Sequence, residues 1–240
     1  MAFSKLGLVK ELLGYMNDEN FEKPTEIQTK SIPAILEGRD VLAQSETGSG
    51  KTLAFGLGII QNVEPKGGVQ ALILTPTREL ASQIYEVFKR YSKYKGLKIA
   101  SVYGGVSINP QIKDLESADI VIATPGRMLD HMERKTVDLS SLRFFVLDEA
   151  DRMLDMGFID DIRRIESACP KKKQALLFSA TITDEIRHLS ENFLDNPVNV
   201  TVGSQVDPRK LPQVYYDIKG SLKLSLLVHL LKEEKDSGLV

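Results

Sequence analysis

The sequence predicts an α/β fold in which a mostly parallel, twisted sheet has helices on both faces. Short apolar segments alternate with helical segments along the chain, which is typical of a parallel sheet with right-handed crossovers. Within the predicted strand Leu142–Leu147, the run Phe144-Phe145-Val146-Leu147 is also apolar throughout, without the alternation of a half-exposed strand. This indicates a strand that is buried on both faces.

The elements follow from these segments in order. Seven strands are predicted, at Asp40–Gln44, Gln70–Thr75, Lys98–Tyr103, Asp119–Ala123, Leu142–Leu147, Gln174–Phe178 and Val198–Val202. Eight helices are predicted, at Ser4–Met16, Thr25–Leu36, Gly50–Asn62, Arg78–Tyr94, Asn109–Leu115, Arg127–Glu133, Ile159–Ala168 and Asp184–Asn192. The first helix precedes the first strand, so we expect it to dock as an added element.

The last part of the chain has a different character. Val206–Pro212 contains two prolines and charged residues, so we expect one domain over residues 1–207 and a linker over 208–212. After the linker, the pattern predicts a strand at Gln213–Lys219 and an amphipathic helix at Leu222–Glu233.

Composition is that of an ordinary soluble globular protein, with 42% hydrophobic residues, 27% charged residues and a net charge of −2. Nucleic-acid binding would therefore depend on local patches and on salt concentration. One cysteine and three widely spaced histidines exclude an intrachain disulfide and suggest neither a metal cluster nor a catalytic triad. We find no signal peptide and no membrane-length apolar run, so we expect a cytoplasmic protein with no membrane partner.

A loop rich in glycine and hydroxyl groups joins the first predicted strand to a helix. It reads Ser45-Glu46-Thr47-Gly48-Ser49-Gly50-Lys51-Thr52. Glycines let backbone N–H groups turn towards a phosphate, and the helix N-terminus adds positive charge. Lys51 can reach the β- and γ-phosphates of a nucleotide, and the Thr52 hydroxyl can ligate Mg²⁺. Ser45 replaces the first glycine of the pattern G-x-x-x-x-G-K-[ST], and the alternative is an ordinary turn.

Three carboxylates follow the buried strand Leu142–Leu147, in the sequence Asp148-Glu149-Ala150-Asp151. Open α/β sheets bind ligands beyond the carboxyl ends of their strands, so these groups should lie beside the phosphate loop. Asp148 is the natural partner of Mg²⁺, directly or through water, and Glu149 is placed to orient and deprotonate an attacking water. The alternative is a solvated acidic turn, although three carboxylates without a cation would repel one another. The two segments together predict a magnesium–nucleoside triphosphate site.

The acidic segment spells D-E-A-D, and over roughly residues 3–210 the chain closely resembles the first RecA-like domain of the DEAD-box RNA helicases. Several further motifs occur in the order of that family. The resemblance implies the RecA-like P-loop form of the α/β fold, ATP and Mg²⁺ as cofactors, and RNA as the bound partner.

The resemblance implies an adenine site ahead of the phosphate loop. Phe21, Thr25 and Gln28 belong to a segment that looks like the Q motif, and Phe3 stands where the family has an isolated aromatic near the base. The Gln28 amide offers a donor and an acceptor that match adenine and not guanine. A Gln28→Ala variant with unchanged ATP/GTP discrimination would contradict this role. The alternative is that Gln28 is an exposed helix residue behind an N-cap at Thr25.

The resemblance also implies nucleic-acid contacts on three loops. The residues concerned are Pro76, Thr77 and Arg78, then Gly104 and Gly105, and then Thr124, Pro125, Gly126 and Arg127. Glycine lets a nucleic-acid backbone come close, and arginine can add charge-assisted contacts. The alternative is that these are ordinary strand-to-helix turns. Asp151, Ser179 and Thr181 match residues that couple the nucleotide state to strand separation.

In the resembled family, ATP and RNA bind across a cleft between two RecA-like domains. Residues 213–240 resemble the opening of the second domain, and the arginine-rich motif that reaches the γ-phosphate is not found in these 240 residues. We therefore expect an RNA helicase segment that binds ATP and RNA weakly and has little turnover alone.

Two other functions stay open at this stage. One is a non-catalytic nucleotide- and RNA-binding module, and the other is a DNA-directed helicase of the same superfamily. A monomer is expected, although the leucine-rich segment 213–240 could instead be disordered, fold back or mediate self-association.

Overall fold

The computed structural model of the protein describes residues 2–17, 23–203 and 215–233. The chain divides into two units, Met1–Ser204 and Gln205–Val240. The strands of the first unit are β1 (Val41–Gln44), β2 (Ala71–Leu74), β3 (Ile99–Val102), β4 (Ile120–Ala123), β5 (Phe144–Asp148), β6 (Gln174–Ser179) and β7 (Val198–Thr201). Its α-helices are α1 (Lys10–Asn17), α2 (Glu26–Leu36), α3 (Lys51–Asn62), α4 (Arg78–Tyr91), α5 (Ile108–Leu115), α6 (Pro125–Glu133), α7 (Ala150–Asp155), α8 (Ile159–Ser167) and α9 (Asp184–Phe193).

The seven strands form one sheet in the order β3-β4-β2-β5-β6-β1-β7, and every neighbouring pair is parallel. The register brings the strand ends level, because Leu74 is opposite both Ala123 and Leu147, and Gln44 is opposite Ser179. The predicted α/β class and parallel sheet are confirmed. All seven strands lie within two residues of their predicted ends.

Helices cover both faces of the sheet, as predicted. Successive residues of β5 enter two different cores: Phe144 and Val146 pack with α2, α3 and α4, while Phe145 and Leu147 pack with α5 to α9. Since side chains alternate across a strand, a strand that is apolar throughout supplies both cores. This explains why the run before Asp148 carries no polar residue.

The helix predicted at Ser4–Met16 is wrong as a single element. A 3-10 helix covers Ala2–Leu6, and α1 begins only at Lys10. Between them, Gly7 has a φ of +85°, which ends a right-handed helix. The Gln61 side chain holds the break, because its amide donates to the Gly7 carbonyl at 3.1 Å and accepts from the Val9 N–H at 2.9 Å.

Two other helix predictions also differ from the structure. The helix predicted at Arg78–Tyr94 ends as α4 at Tyr91, and its last turn is a 3-10 helix, Ser92–Tyr94. Helix α7 was not predicted, since its six residues are too few to show a helical apolar pattern.

In the second unit, α10 (Lys223–Glu233) follows a 3-10 turn at Gly220–Leu222 and confirms the predicted helix. The strand predicted at Gln213–Lys219 is wrong where the structure describes it, because residues 215–219 have no strand structure. Tyr215 is 90% exposed, and a strand without a paired neighbour has no stable hydrogen-bond ladder. The predicted linker, 208–212, lies outside the described residues. Within the described ranges, no helix is long and apolar enough to cross a bilayer.

Candidate functional site

Apart from the predicted adenine-site residues, which precede β1 in the chain, the residues predicted for nucleotide and for nucleic acid lie at one edge of the sheet, where the carboxyl ends of the parallel strands meet. Three neighbouring strands, β5, β6 and β1, lead into loops that we call the nucleotide half: 148–151, 179–181 and 45–52. The other three neighbours, β2, β4 and β3, lead into loops that we call the nucleic-acid half: 76–78, 124–127 and 104–105. The strand order therefore separates the two sets of residues into contiguous halves of one edge.

Hydrogen bonds among its own residues hold the phosphate loop together. The Lys51 ammonium donates to the Ser45 carbonyl at 3.1 Å, and the hydroxyls of Ser45 and Ser49 lie 2.9 Å apart. The Ser45 N–H donates to the Ser179 carbonyl at 3.1 Å, which joins the loop to β6. Ser45 is buried at 1% exposure, so this small residue fits the first position of the motif without a glycine.

The outer side of the phosphate loop is open. Glu46, Thr47 and Gly48 are exposed, and Thr52 is half-buried in the first turn of α3. Gly48 and Gly50 have φ values of +83° and +93°. Glycine adopts this left-handed region without strain, and it allows successive N–H groups to form an anion-binding concavity.

Gln28 connects the first turn of α2 to the phosphate loop. Its amide oxygen accepts from the Thr25 N–H at 3.0 Å, as in a capping box, and its amide nitrogen donates to the Gly50 carbonyl at 3.2 Å. Gln28 is 2% exposed, so the alternative of an exposed helix residue is wrong. The N-cap position of Thr25 is confirmed. One amide hydrogen and one oxygen lone pair of Gln28 are left after these two bonds.

Of the two aromatic residues predicted near the base, Phe3 lies among the described residues and Phe21 does not. Phe3 is 2% exposed and packs in the core that contains α2 and α3, so it has a clear packing role. Phe21 lies outside the described residues. Both stay predictions as contacts of a base.

Asp148 ends β5 inside the nucleotide half and is 2% exposed. The pKa of its carboxyl is raised to about 6, chiefly by burial; the charge of Lys51 opposes this rise and the charge of Glu149 adds to it. The Glu149 N–H donates to Asp148 Oδ1 at 3.1 Å. A cation at this carboxylate would favour its charged form.

Glu149 has a left-handed backbone, with φ of 53° and ψ of 50°. For a residue other than glycine, such a conformation costs about 1–3 kcal/mol and is found most often at functional sites. Its carboxylate lies 3.3 Å from Arg152 Nη1 on the next turn. Sequence reasoning missed Arg152, because an arginine three residues along α7 has no motif around it.

Asp151 joins α7 to the loop after β6. Its Oδ2 accepts from both the N–H and the hydroxyl of Thr181, each at 2.9 Å, and its own N–H donates to Ser179 Oγ at 3.3 Å. Burial acts to raise the pKa of Asp151, but the hydrogen bonds from Thr181 and Ser179 outweigh it and the pKa is lowered. The structure brings the three predicted coupling residues into one network.

The nucleic-acid half begins with the turn from β2 into α4. Thr77 is the N-cap of α4, and its hydroxyl accepts from the Leu80 N–H at 3.2 Å. Pro76 is buried, whereas Arg78 is exposed and its guanidinium lies 5.6 Å from the centre of the Tyr103 ring. That ring immediately precedes the exposed pair Gly104 and Gly105. Arg78 is therefore accessible at the position where a contact with a phosphate was predicted.

The turn from β4 into α6 has an exposed glycine and an enclosed arginine. Thr124 is the N-cap of α6 with Pro125 at the first helical position, and Gly126 is exposed. The Arg127 side chain is only 13% exposed, and it donates to the Val106 carbonyl at 3.0 Å and to Gln111 Oε1 at 3.1 Å. The contact of Arg127 with RNA stays a prediction, and its observed bonds are internal.

No group of three or more His, Cys, Asp or Glu side chains that could hold a metal occurs among the described residues. In nucleotide sites, Mg²⁺ takes one or two carboxylates together with phosphate oxygens and water. Asp148 and Thr52 are the oxygen donors that fit.

Comparisons with known proteins agree with this arrangement. A family model described as DEAD/DEAH box helicase matches residues 25–189. The RNA helicase CrhR of Synechocystis is 46% identical over all of this chain and 49% of its own length, and the ATP-dependent RNA helicase DeaD of Escherichia coli K12 is 44% identical over 97% of this chain and 38% of its own length.

A solved structure is similar as well. The crystal structure of a DEAD box protein from the hyperthermophile Methanococcus jannaschii matches with a TM-score of 0.82 and 42% identity, over 97% of this chain and 63% of that chain. The chain thus spans about half or less of the two curated relatives and under two thirds of the solved structure. With its RecA-like fold and D-E-A-D segment, the chain belongs to the DEAD/DEAH box helicase family.

Proposed function

We propose that this chain forms the ATP- and RNA-binding face of an ATP-dependent RNA helicase, which couples ATP hydrolysis to the separation of RNA strands. The observation that carries the proposal is the division of one sheet edge into two halves. The phosphate loop and the carboxylates occupy neighbouring strand ends, and the exposed glycines and Arg78 occupy the adjoining strand ends. A nucleotide and a nucleic acid can therefore bind side by side on one rigid sheet.

The nucleotide half supplies groups for the triphosphate. The backbone N–H groups at Gly48 and Gly50 bind phosphate oxygens, and Lys51 adds its charge at the β- and γ-phosphates. Asp148 and the Thr52 hydroxyl would hold Mg²⁺, which when bound neutralises charge on the phosphates. The Lys51 ammonium must exchange its bond to the Ser45 carbonyl, at 3.1 Å, for one to a phosphate.

Glu149 is the base of the proposed hydrolysis. The oxygen of a water molecule attacks the γ-phosphorus, the bond to the ADP oxygen breaks, and the water proton passes to the Glu149 carboxylate. The left-handed backbone of Glu149 directs the residue out of the strand at the edge where the substrate binds. Arg152, at 3.3 Å, holds that carboxylate until the water arrives.

The remaining hydrogen and lone pair of the Gln28 amide support a preference for adenine, because the N7 and N6 edge of adenine needs one donor and one acceptor. The bond from Gln28 to Gly50, at 3.2 Å, would make the base site and the phosphate loop move together.

RNA is the proposed nucleic acid, and a second RecA-like domain is the proposed partner in cis. The relatives CrhR and DeaD are named RNA helicases, which favours RNA over DNA. With Lys51, Asp148 and Glu149 all in place, no feature of the described site favours a non-catalytic module.

Nucleotide binding by a lysine variant tests this proposal. Lys51→Ala is expected to weaken binding of a fluorescent ATP analogue with Mg²⁺ by at least about tenfold, since a charge-assisted phosphate contact is lost. Lys95→Ala is the matched control, because Lys95 donates to the carbonyls of Gln61 and Val63, at 2.7 and 2.9 Å, near the other end of α3. Equal affinities of Lys51→Ala and the unmutated chain would contradict the proposed site.

A further inference from the structure

A buried glutamine lies beneath the nucleic-acid half. Gln111 of α5 is 5% exposed, and its amide oxygen lies 3.1 Å from Arg127 Nη1 and 3.2 Å from His131 Nε2. Its amide nitrogen donates to the Tyr103 carbonyl at 3.0 Å. The arginine and the carbonyl fix the orientation of the amide, so the nearby His131 Nε2 must carry a hydrogen and donate.

These bonds connect two loops that are separate in sequence. Tyr103 directly precedes Gly104 and Gly105, whereas Arg127 directly follows Gly126. Arg127 closes the connection, because it also donates to the Val106 carbonyl on the far side of the glycine pair at 3.0 Å. Gln111 and Arg127 therefore bind the carbonyls of the two residues that flank the glycine pair, Tyr103 and Val106.

The exposed groups of these loops are mostly backbone. Gly104, Gly105 and Gly126 are exposed, and a Cβ at Gly104 or Gly126 would meet no atom within 4 Å. The Arg127 guanidinium is largely enclosed by its internal bonds. Contacts with a nucleic-acid backbone would then depend on the spacing of the loops, and a spacing fixed before binding removes the cost of ordering them.

We propose that Gln111 is a positioning residue for RNA binding, which sets the spacing between the loop at Gly104–Gly105 and the loop at Thr124–Arg127. The inference rests on the proposed function, since it assigns the support of the RNA face. His131 assists from α6 by sharing the Gln111 oxygen, and its other ring nitrogen lies 2.8 Å from the Thr136 hydroxyl.

The test compares two buried glutamines in the full 240-residue chain. Gln111→Met keeps the side-chain length but removes both polar ends. Gln70→Met is the matched control: Gln70 is also 5% exposed, it lies within hydrogen-bond distance of Arg143 at 3.4 Å, and its amide nitrogen donates to the Glu64 carbonyl at 2.6 Å. Gln70 immediately precedes β2, so it lies at the amino ends of the strands, opposite to the carboxyl ends that carry the predicted site.

Fluorescence anisotropy of a labelled single-stranded RNA at low salt measures the effect, with affinity for the ATP analogue measured on the same samples. Gln111→Met is expected to bind RNA about tenfold more weakly, because two loop-supporting hydrogen bonds are lost, and to keep its nucleotide affinity. Gln70→Met is expected to keep both affinities while losing thermal stability as Gln111→Met does. RNA affinity in Gln111→Met equal to that of the control overturns the inference.

A coupling measurement covers the case in which Gln111→Met folds poorly. Gln111→Glu keeps the oxygen that accepts from Arg127 and loses the donor to Tyr103, so it is expected to weaken RNA binding by itself. In the Gln111→Glu variant, the further change Arg127→Met should weaken RNA binding by much less than it does in the unmutated chain. The reason is that both changes break the same hydrogen-bonded link between the two loops. Fully multiplicative losses overturn the inference. Absence of RNA binding by the unmutated chain overturns the proposed function, and this inference with it.

Discussion

Gly50 shows how one residue links the base site to the phosphate loop. A Cβ at Gly50 would overlap the Gln28 amide nitrogen and would lie 3.3 Å from Thr25 Oγ1. Gly48 has a similar left-handed backbone, with φ of +83° against +93°, but a Cβ there would meet no atom within 4 Å. An alanine at Gly48 would therefore cost only the free energy of the left-handed backbone, whereas an alanine at Gly50 would also have to displace Gln28.

Alanine substitutions at these glycines are expected to differ in stability. Gly48→Ala should lower the free energy of unfolding by about 1–2 kcal/mol, the cost of a left-handed L-residue. Gly50→Ala should lower it by a further ~1 kcal/mol or more, because Gln28 must also leave its bond to Gly50. Urea denaturation measures both values. An equal loss in the free energy of unfolding at the two positions would show that Gln28 does not restrict the space for a side chain at Gly50.

His131 gives a second prediction at the scale of one residue. Burial is the main cause that lowers its pKa below the ordinary 6.5; Arg127 and Arg134 add to the effect, and Asp130 opposes it. Because the folded pKa lies below the unfolded one, stability is complete above pH 6.5 and falls as the pH drops through 6.5 towards the folded pKa. The slope should not exceed about 1.4 kcal/mol per pH unit, the value for one proton.

His131→Gln removes the titrating group and is the comparison for this pH effect. The stability of the unmutated chain should fall more steeply between pH 7 and pH 5 than that of the variant, as measured by urea denaturation at each pH. Parallel curves would mean that His131 takes up its proton as readily in the folded state as in the unfolded state.

Residue roles could be predicted from sequence where a local motif carries them. Ser45 to Thr52 form a phosphate loop in eight consecutive positions, so their proximity needs no tertiary information. The burial of Gln28 depends on Gly50, 22 residues away, and the enclosure of Arg127 depends on Gln111 in the preceding helix. A single sequence shows neither contact, so it leaves an exposed position possible for Gln28 and gives no sign of the role of Gln111.

At the scale of elements, Asp151 and Thr181 join α7 to the loop after β6. This connection spans 30 residues and brings the D-E-A-D segment together with the Ser179–Thr181 segment. Both segments lie between the phosphate loop and the remaining loops of the edge. In the proposed function, a change at the nucleotide would reach the loop after β6 through these hydrogen bonds.

Thr181→Val is expected to lower the free energy of unfolding by about 1–2 kcal/mol, because a hydroxyl bond to a charged carboxylate is lost. Thr181→Ser keeps the hydroxyl and is the control.

The pKa of Asp151 is lowered in the folded state, so the hydrogen bonds from Thr181 stabilise the protein above the ordinary pKa of 3.8. Their contribution is lost as the pH falls through the folded pKa. Denaturation at pH 7 and at acid pH should show a difference between Val and Ser that shrinks in acid. A constant difference would contradict the role of the carboxylate.

The central strands β2, β4, β5 and β6 could be predicted well because they are short, largely apolar runs buried along their whole length, whereas the edge strands β3 and β7 are only partly buried. The helix at Ser4–Met16 was predicted in one piece because Gly7 is tolerated in a helical pattern, and its left-handed turn is fixed by Gln61, far along the chain. The strand at Gln213–Lys219 was predicted from the residue pattern of that segment alone. Strand structure needs a hydrogen-bonded neighbour, and none pairs with residues 215–219 in the described part of the chain.

At the scale of the whole molecule, the strand order separates the residues predicted for the nucleotide from those predicted for RNA. The order β3-β4-β2-β5-β6-β1-β7 places the phosphate loop, the D-E-A-D segment and the Ser179–Thr181 segment on one side of the boundary between β2 and β5, and every predicted RNA motif on the other. The order of motifs in the sequence does not show this separation by itself, because the three predicted RNA motifs stand between the phosphate loop and the D-E-A-D segment. In the proposed function this edge is one wall of a cleft, and a second domain would supply arginines to the γ-phosphate.

ATP hydrolysis by the 240-residue chain tests this account most directly. Turnover is measured with Mg²⁺, with and without single-stranded RNA, and with Lys51→Ala as the control. The account predicts that the unmutated chain binds ATP and that Lys51→Ala loses this binding. It also predicts very slow turnover that RNA does not increase, because an arginine from a second domain is worth on the order of 10³ or more in rate. Rapid RNA-stimulated hydrolysis that Lys51→Ala abolishes would contradict it, since these residues would then form a complete site.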